Sequence, residues 1–174
     1  MQHQSHTDQH LSFLLPGFTV TIATLLSVFP LHLPSLMHVM PLFNLMAIYY
    51  WAIYRSTLLP VSLLFILGLA QDAMYGLPIG VTAFTNVMLY GITTGQQRFF
   101  IKEHFIVVWL GFLCFSFIAG LIYWLLLSLY FQTLFPFRDV TVQWTLSVTF
   151  YACIHWILCK VFILLPDKLL PIHA

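Results

Sequence analysis

Asp72 is the residue in this sequence best placed to do chemistry. It puts a carboxyl group inside an apolar run, Gly68-Leu69-Ala70-Gln71-Asp72-Ala73-Met74-Tyr75-Gly76. An ionisable group at membrane depth is costly and therefore marks a site. Such a carboxyl could hold a cation, relay a proton or anchor another subunit. It could equally cap the turn that follows, Gly76-Leu77-Pro78-Ile79-Gly80, whose backbone N–H groups need partners. The turn chemistry favours the capping reading. Asp139 is expected on the same membrane face, and two carboxyl groups together would suit acid–base hydrolysis. The sequence patterns of intramembrane hydrolases are missing, however: there is no GxGD, GxSxG or HExxH, and no acidic cluster of the CDP-alcohol transferase kind. Beside Arg138, Asp139 also reads as a helix N-terminal charge favoured by the dipole.

Other reactive side chains are scattered. His3, His6 and His10 lie in a polar stretch and read as solvated sequence rather than metal ligands. Cys114, Cys153 and Cys159 sit inside apolar runs without CxxC spacing, so they are expected as buried packing residues. His38, Asn44, Asn86, Gln143 and His155 are polar groups of the kind that bond across helices. Gly91-Ile92-Thr93-Thr94-Gly95 is a GxxxG that permits close backbone approach, and Asn86, Gly91 and Gly95 are expected as helix-packing positions. Gly111 and Gly120 could admit a neighbouring helix in the same way. No cofactor and no metal is expected.

These residues are carried by an almost continuous apolar chain. Of its 174 residues, 61% are hydrophobic and 6% charged, where a soluble domain carries about a quarter charged residues. A water-solvated fold is excluded. A net charge of +1 gives no footprint for nucleic acid.

A helix needs roughly 20 apolar residues to cross a hydrocarbon core, and the chain divides into six such stretches: 11–31, 35–54, 58–75, 81–97, 105–131 and 140–165. The expectation is an all-α membrane protein with one domain, a six-transmembrane-helix bundle over 11–165. Polar tails cover 1–10 and 166–174. Residues 11 onward read as a retained first helix, because the basic start and cleavage site of a signal peptide are missing. Tyr49, Tyr50, Trp51 and Tyr54 are expected at headgroup level. The stretch 81–97 carries Thr82, Thr85, Asn86, Thr93 and Thr94, so it belongs inside the bundle. Alternating the gaps places Arg55, Arg98, Lys102, Lys160 and Lys168 on one side and Arg138 on the other. The positive-inside bias then puts both termini in the cytoplasm.

Several of these residues carry a family likeness. Tyr50-Trp51-Ala52-Ile53-Tyr54-Arg55, Leu59-Pro60, and Gly68-Leu69 with Asp72, Gly76, Pro78 and Gly80 resemble MreD, the bacterial rod shape-determining membrane proteins. Gln97-Arg98-Phe99 before the long apolar stretch continues the likeness, while Ser56 stands where proline is expected after the arginine. The resemblance implies a non-catalytic subunit of the cell-elongation machinery in the bacterial inner membrane. Its implied partners are MreC, the RodA–transpeptidase synthase of lateral peptidoglycan, and MreB, directly or through MreC. It also implies a fold similar to the substrate-binding subunits of energy-coupling-factor vitamin transporters, so a small-molecule-binding transporter subunit is the alternative. In the elongation role the turn at Asp72, Gly76, Pro78 and Gly80 would meet periplasmic partners. Arg55, Arg98 and Lys102 would meet cytoplasmic partners or anionic membrane lipids.

Overall fold

A computed structural model describes residues 3–28, 41–133 and 137–163. Among these residues every regular element is helical: α1 His3–Val28, α2 Phe43–Tyr54, α3 Val61–Tyr75, α4 Val81–Gly95, α5 Gln97–Phe100, α6 Phe105–Phe131 and α7 Phe137–Ile163. A 3-10 turn, Ser56–Leu58, joins α2 to α3. Two of the helices, over Phe105–Phe131 and Val140–Val161, are long and apolar enough to cross a membrane. The segments Leu15–Val28 and Val61–Tyr75 are apolar but shorter.

The differences from the expected spans have local causes. Proline and glycine cut the middle helices short. Pro41 and Leu42 lie outside the helix expected over 35–54, which starts only at Phe43. Pro60 starts α3 from an extended backbone, and Gly76 ends it in the left-handed conformation, φ 64°. There Gly76 N–H bonds the Ala73 carbonyl and Leu77 N–H the Asp72 carbonyl, the double closure of a Schellman turn. At 15 residues each, α3 and α4 are about 22 Å long, below the thickness of a hydrocarbon core. At the other extreme, α1 extends back to His3 through the expected polar tail, with Pro16 inside the helix.

The core is organised around α2. α1 packs on α3, α3 on α4, α4 on α6 and α6 on α7, an arc that encloses α2. Every residue of α2 from Phe43 to Ile53 is buried. This overturns the headgroup expectation for its aromatic residues: Tyr49, Tyr50 and Trp51 are at most 1% exposed. Their polar tips find acceptors inside the protein. Tyr49 OH donates to the Val108 carbonyl at 3.0 Å and Trp51 Nε1 to Thr19 Oγ1 at 2.8 Å. Phe112 and Tyr151 stack in parallel beside Tyr49, with ring centroids 4.2 Å apart. Aromatic rings bury large areas and still satisfy one polar atom each.

Glycine packing also differs from expectation. A Cβ on Gly68 would lie 2.3 Å from Ala83 Cα, so the absence of a side chain is what lets α3 touch α4. A Cβ on Gly111 would lie 2.5 Å from both Phe100 and the Tyr49 hydroxyl. Gly91 and Gly95 are exposed and nothing lies within 4 Å of where their Cβ atoms would be. Among the described residues they pack against no helix. The cysteines depart from expectation as well: Cys114 and Cys153 are exposed and Cys159 half-buried. An apolar run in a membrane bundle has an outward face that favours lipid, so membership of the run does not mean burial.

Candidate functional site

Several buried polar groups collect at the end where α3 turns into α4. Asp72, fully buried, sits in the last turn of α3. Its Oδ2 accepts the Gly80 N–H at 2.8 Å and its Oδ1 the Thr82 N–H at 2.9 Å. Gly80, φ 106°, is the N-cap of α4 and has no side chain to cap with. Asp72 therefore supplies the cap from the preceding helix, at the end of α4 where the dipole favours an acidic oxygen. Pro78 contributes a carbonyl that accepts the Val81 N–H at 3.3 Å. Gly76 and Gly80 carry the two positive φ angles that make the turn possible. The carboxyl group faces inward onto backbone donors, so the chemistry it performs here is to hold the turn.

One residue earlier, Gln71 belongs to a second layer. Asn44 Nδ2, from α2, donates to Gln71 Oε1 at 2.8 Å and to Asn86 Oδ1 of α4 at 3.3 Å. All three carboxamides are at least 95% buried. Asn44 N–H donates to Ser27 Oγ at 3.3 Å, and Tyr75 OH donates to the Ser27 carbonyl. One α2 side chain thus ties α3 to α4, and its backbone ties in α1. The amides form a hydrogen-bonded network in the protein interior, where each bond is stronger than in water.

Above this network lies a cavity of about 340 Å³, with walls from α1, α2, α3, α4, α6 and α7. Gln143, Asn86 and Asn44 all reach it, so three of the polar residues picked out in the sequence converge. His155 lies elsewhere, against Tyr151, Tyr50 and Phe105. His38 and the side chains of His3, His6, His10, Arg138 and Asp139 fall outside the described residues. Sequence reasoning passed over Gln71, Ser116 and Tyr123, which also line the cavity. An amide adjoining Asp72 was the signal available for Gln71; Ser116 and Tyr123 gave none, since isolated hydroxyls recur along α6.

The opposite end carries the cations. Arg98 and Lys102 are exposed, while Arg55 is 9% exposed at the C-terminus of α2. Burial lowers the Arg55 guanidinium from its ordinary value. Ser56 Oγ donates to Gln97 Oε1 at 2.7 Å, and Tyr90 OH donates to the Ser56 carbonyl at 2.7 Å, fastening this end across α4 and α5. Among the described residues no group of three His, Cys, Asp or Glu side chains is arranged to hold a metal ion.

The comparisons with known proteins agree with the sequence motifs. The family model described as rod shape-determining protein MreD matches residues 7–166. No curated protein and no solved structure matches the chain. The match takes in α2, the Asp72 turn, the amide network and both long apolar helices, and the chain belongs to the MreD family of rod shape-determining proteins.

Proposed function

We propose that this chain is a non-catalytic, multi-pass subunit of the bacterial cell-elongation complex in the inner membrane. The observation that carries this reading is the family match over 7–166. It acts in cell shape and lateral peptidoglycan synthesis through MreC and the RodA–transpeptidase synthase, with MreB engaged directly or through MreC. The shorter helices complete a six-span bundle around α2, with both termini in the cytoplasm. That orientation is supported by Arg55, Arg98, Lys102 and Lys160, which fall at helix ends on one side. A protein with so little mass outside its helices works through helix faces and short turns. Ile106, Leu110, Leu125 and Leu129 present an exposed apolar face on α6 that suits lipid or a partner's membrane helix. On α4, exposed Gly91 and Gly95 admit a close-packed helix from outside. The turn at Asp72, Gly76, Pro78 and Gly80 is the periplasmic contact, and Arg98 and Lys102 are the accessible cytoplasmic ones.

The test is gentle solubilisation of a C-terminally tagged chain and mass spectrometry of what accompanies it. MreC and the elongation synthase are the expected companions, and depletion of the chain should round the cells. The cavity favours a second reading, a small-molecule-binding membrane subunit of a transporter. Recovery of an ATPase and a coupling subunit in place of MreC would establish that reading instead.

A further inference from the structure

The cavity beside the amide network has the chemistry of a ligand site. At about 340 Å³ it falls within the usual range of small-molecule pockets. No Lys, Arg, His, Asp or Glu side chain is among its described walls. Asp72, next to Gln71, is committed to the Gly80 and Thr82 N–H groups. A charged guest would give up hydration and face no counter-charge among these described walls, which is costly.

The walls instead offer neutral hydrogen-bonding groups and aromatic rings. Asn86, 2% exposed, uses its Oδ1 for Asn44, and no bond occupies its amide nitrogen among the described residues. Asn86 lines the cavity, so this amide is available to a guest there. Tyr123 of α6 and Trp144 of α7 add aromatic surface to the lining. The indole is held in place, since Trp144 Nε1 donates to Ser116 Oγ at 3.1 Å. Carboxamides can both donate to and accept from hydroxyls, and an aromatic wall takes an apolar ring face.

We propose that this cavity binds an uncharged ligand of monosaccharide size with hydroxyl and carbonyl groups, either a free sugar or the headgroup of a glycolipid. Asn86 donates to the carbonyl, and Tyr123 and Trp144 cover the apolar face of the ring. The site is independent of which complex the chain joins.

The experiment is a thermal-unfolding titration of the full chain in a detergent whose headgroup is not a sugar. N-Acetylglucosamine is the neutral probe and glucosamine 6-phosphate the charged control. A parallel arm compares nanodiscs containing monoglucosyl diacylglycerol with nanodiscs of phosphatidylglycerol. Expected is a saturable rise in Tm of about 3 °C at tenfold excess over the dissociation constant. A rise with the free sugar identifies a soluble source, and a rise only in glycolipid discs identifies a headgroup. Asn86→Leu should abolish the rise, and Ala119→Leu, which fills the cavity without touching the amides, should do the same in a chain that still unfolds cooperatively. Equal shifts in wild type and Ala119→Leu, no shift with either neutral probe, or a larger shift with the phosphate would overturn the proposal.

Discussion

α2 and α6 are opposites, and the contrast inverts the rule for soluble proteins. α6 is the most uniformly apolar element, yet much of it faces outward: Ile106 is 66% exposed and Leu129 67%. α2 carries Asn44, three tyrosines and a tryptophan, yet it is the buried centre. In water, apolar surface is driven inside. In a bilayer the lipid is as apolar as leucine, so burial no longer selects for greasiness. What selects the centre is the ability to bond and interlock with several neighbours at once. Tyr49, Trp51 and Asn44 do this towards α6, α1, α3 and α4.

Substitutions can break that contrast in graded steps. Trp51→Ala should have the largest effect: it empties a fully enclosed site and removes the indole's bond to Thr19 Oγ1, for a loss of about 3–5 kcal/mol. Denaturant unfolding in detergent would read it; a loss below about 1 kcal/mol would mean α2 is not the organising core. Asp72→Ala strips the Gly80 and Thr82 N–H groups of their acceptor and should cost about 2–3 kcal/mol, with greater protease cleavage in the turn. Asp72→Asn should lie between this and wild type, because an amide oxygen still accepts. Cleavage unchanged in both variants would remove the capping role.

Gly68→Ala should cost about 1–3 kcal/mol by forcing α3 away from Ala83. Gly91→Ala meets no neighbour and should leave stability unchanged or raise it by up to about 1 kcal/mol, since alanine favours helix. If the two glycines responded alike, packing within the chain would not be what separates them. The smallest effect is expected at Leu129→Ala on the outer face of α6, within about 0.5 kcal/mol. If that variant nevertheless lost its partners in co-purification, the outer face would be an interface rather than a lipid-facing surface.

The site was partly legible in the residues. Asp72 ahead of Gly76-Leu77-Pro78-Ile79-Gly80 announces a turn short of acceptors, because glycine and proline there leave backbone donors unpaired. Asn44 and Asn86 stand out as amides in apolar surroundings. Their meeting point was not legible, since it depends on how α2, α3 and α4 rotate about their axes. Gly68 and Gly91 look alike in the chain and differ only in whether Ala83 stands opposite.

Composition and apolar run length alone determined that this is an all-helical membrane chain, because hydrocarbon tolerates few charges and satisfies no backbone group. The motifs around Asp72 pointed to the MreD family. The tertiary structure decided which helix is central, which glycines are contacts and where the amides gather around a cavity. Those outcomes depend on the facing of each helix, and in a chain apolar on nearly every side, periodicity carries almost no record of facing.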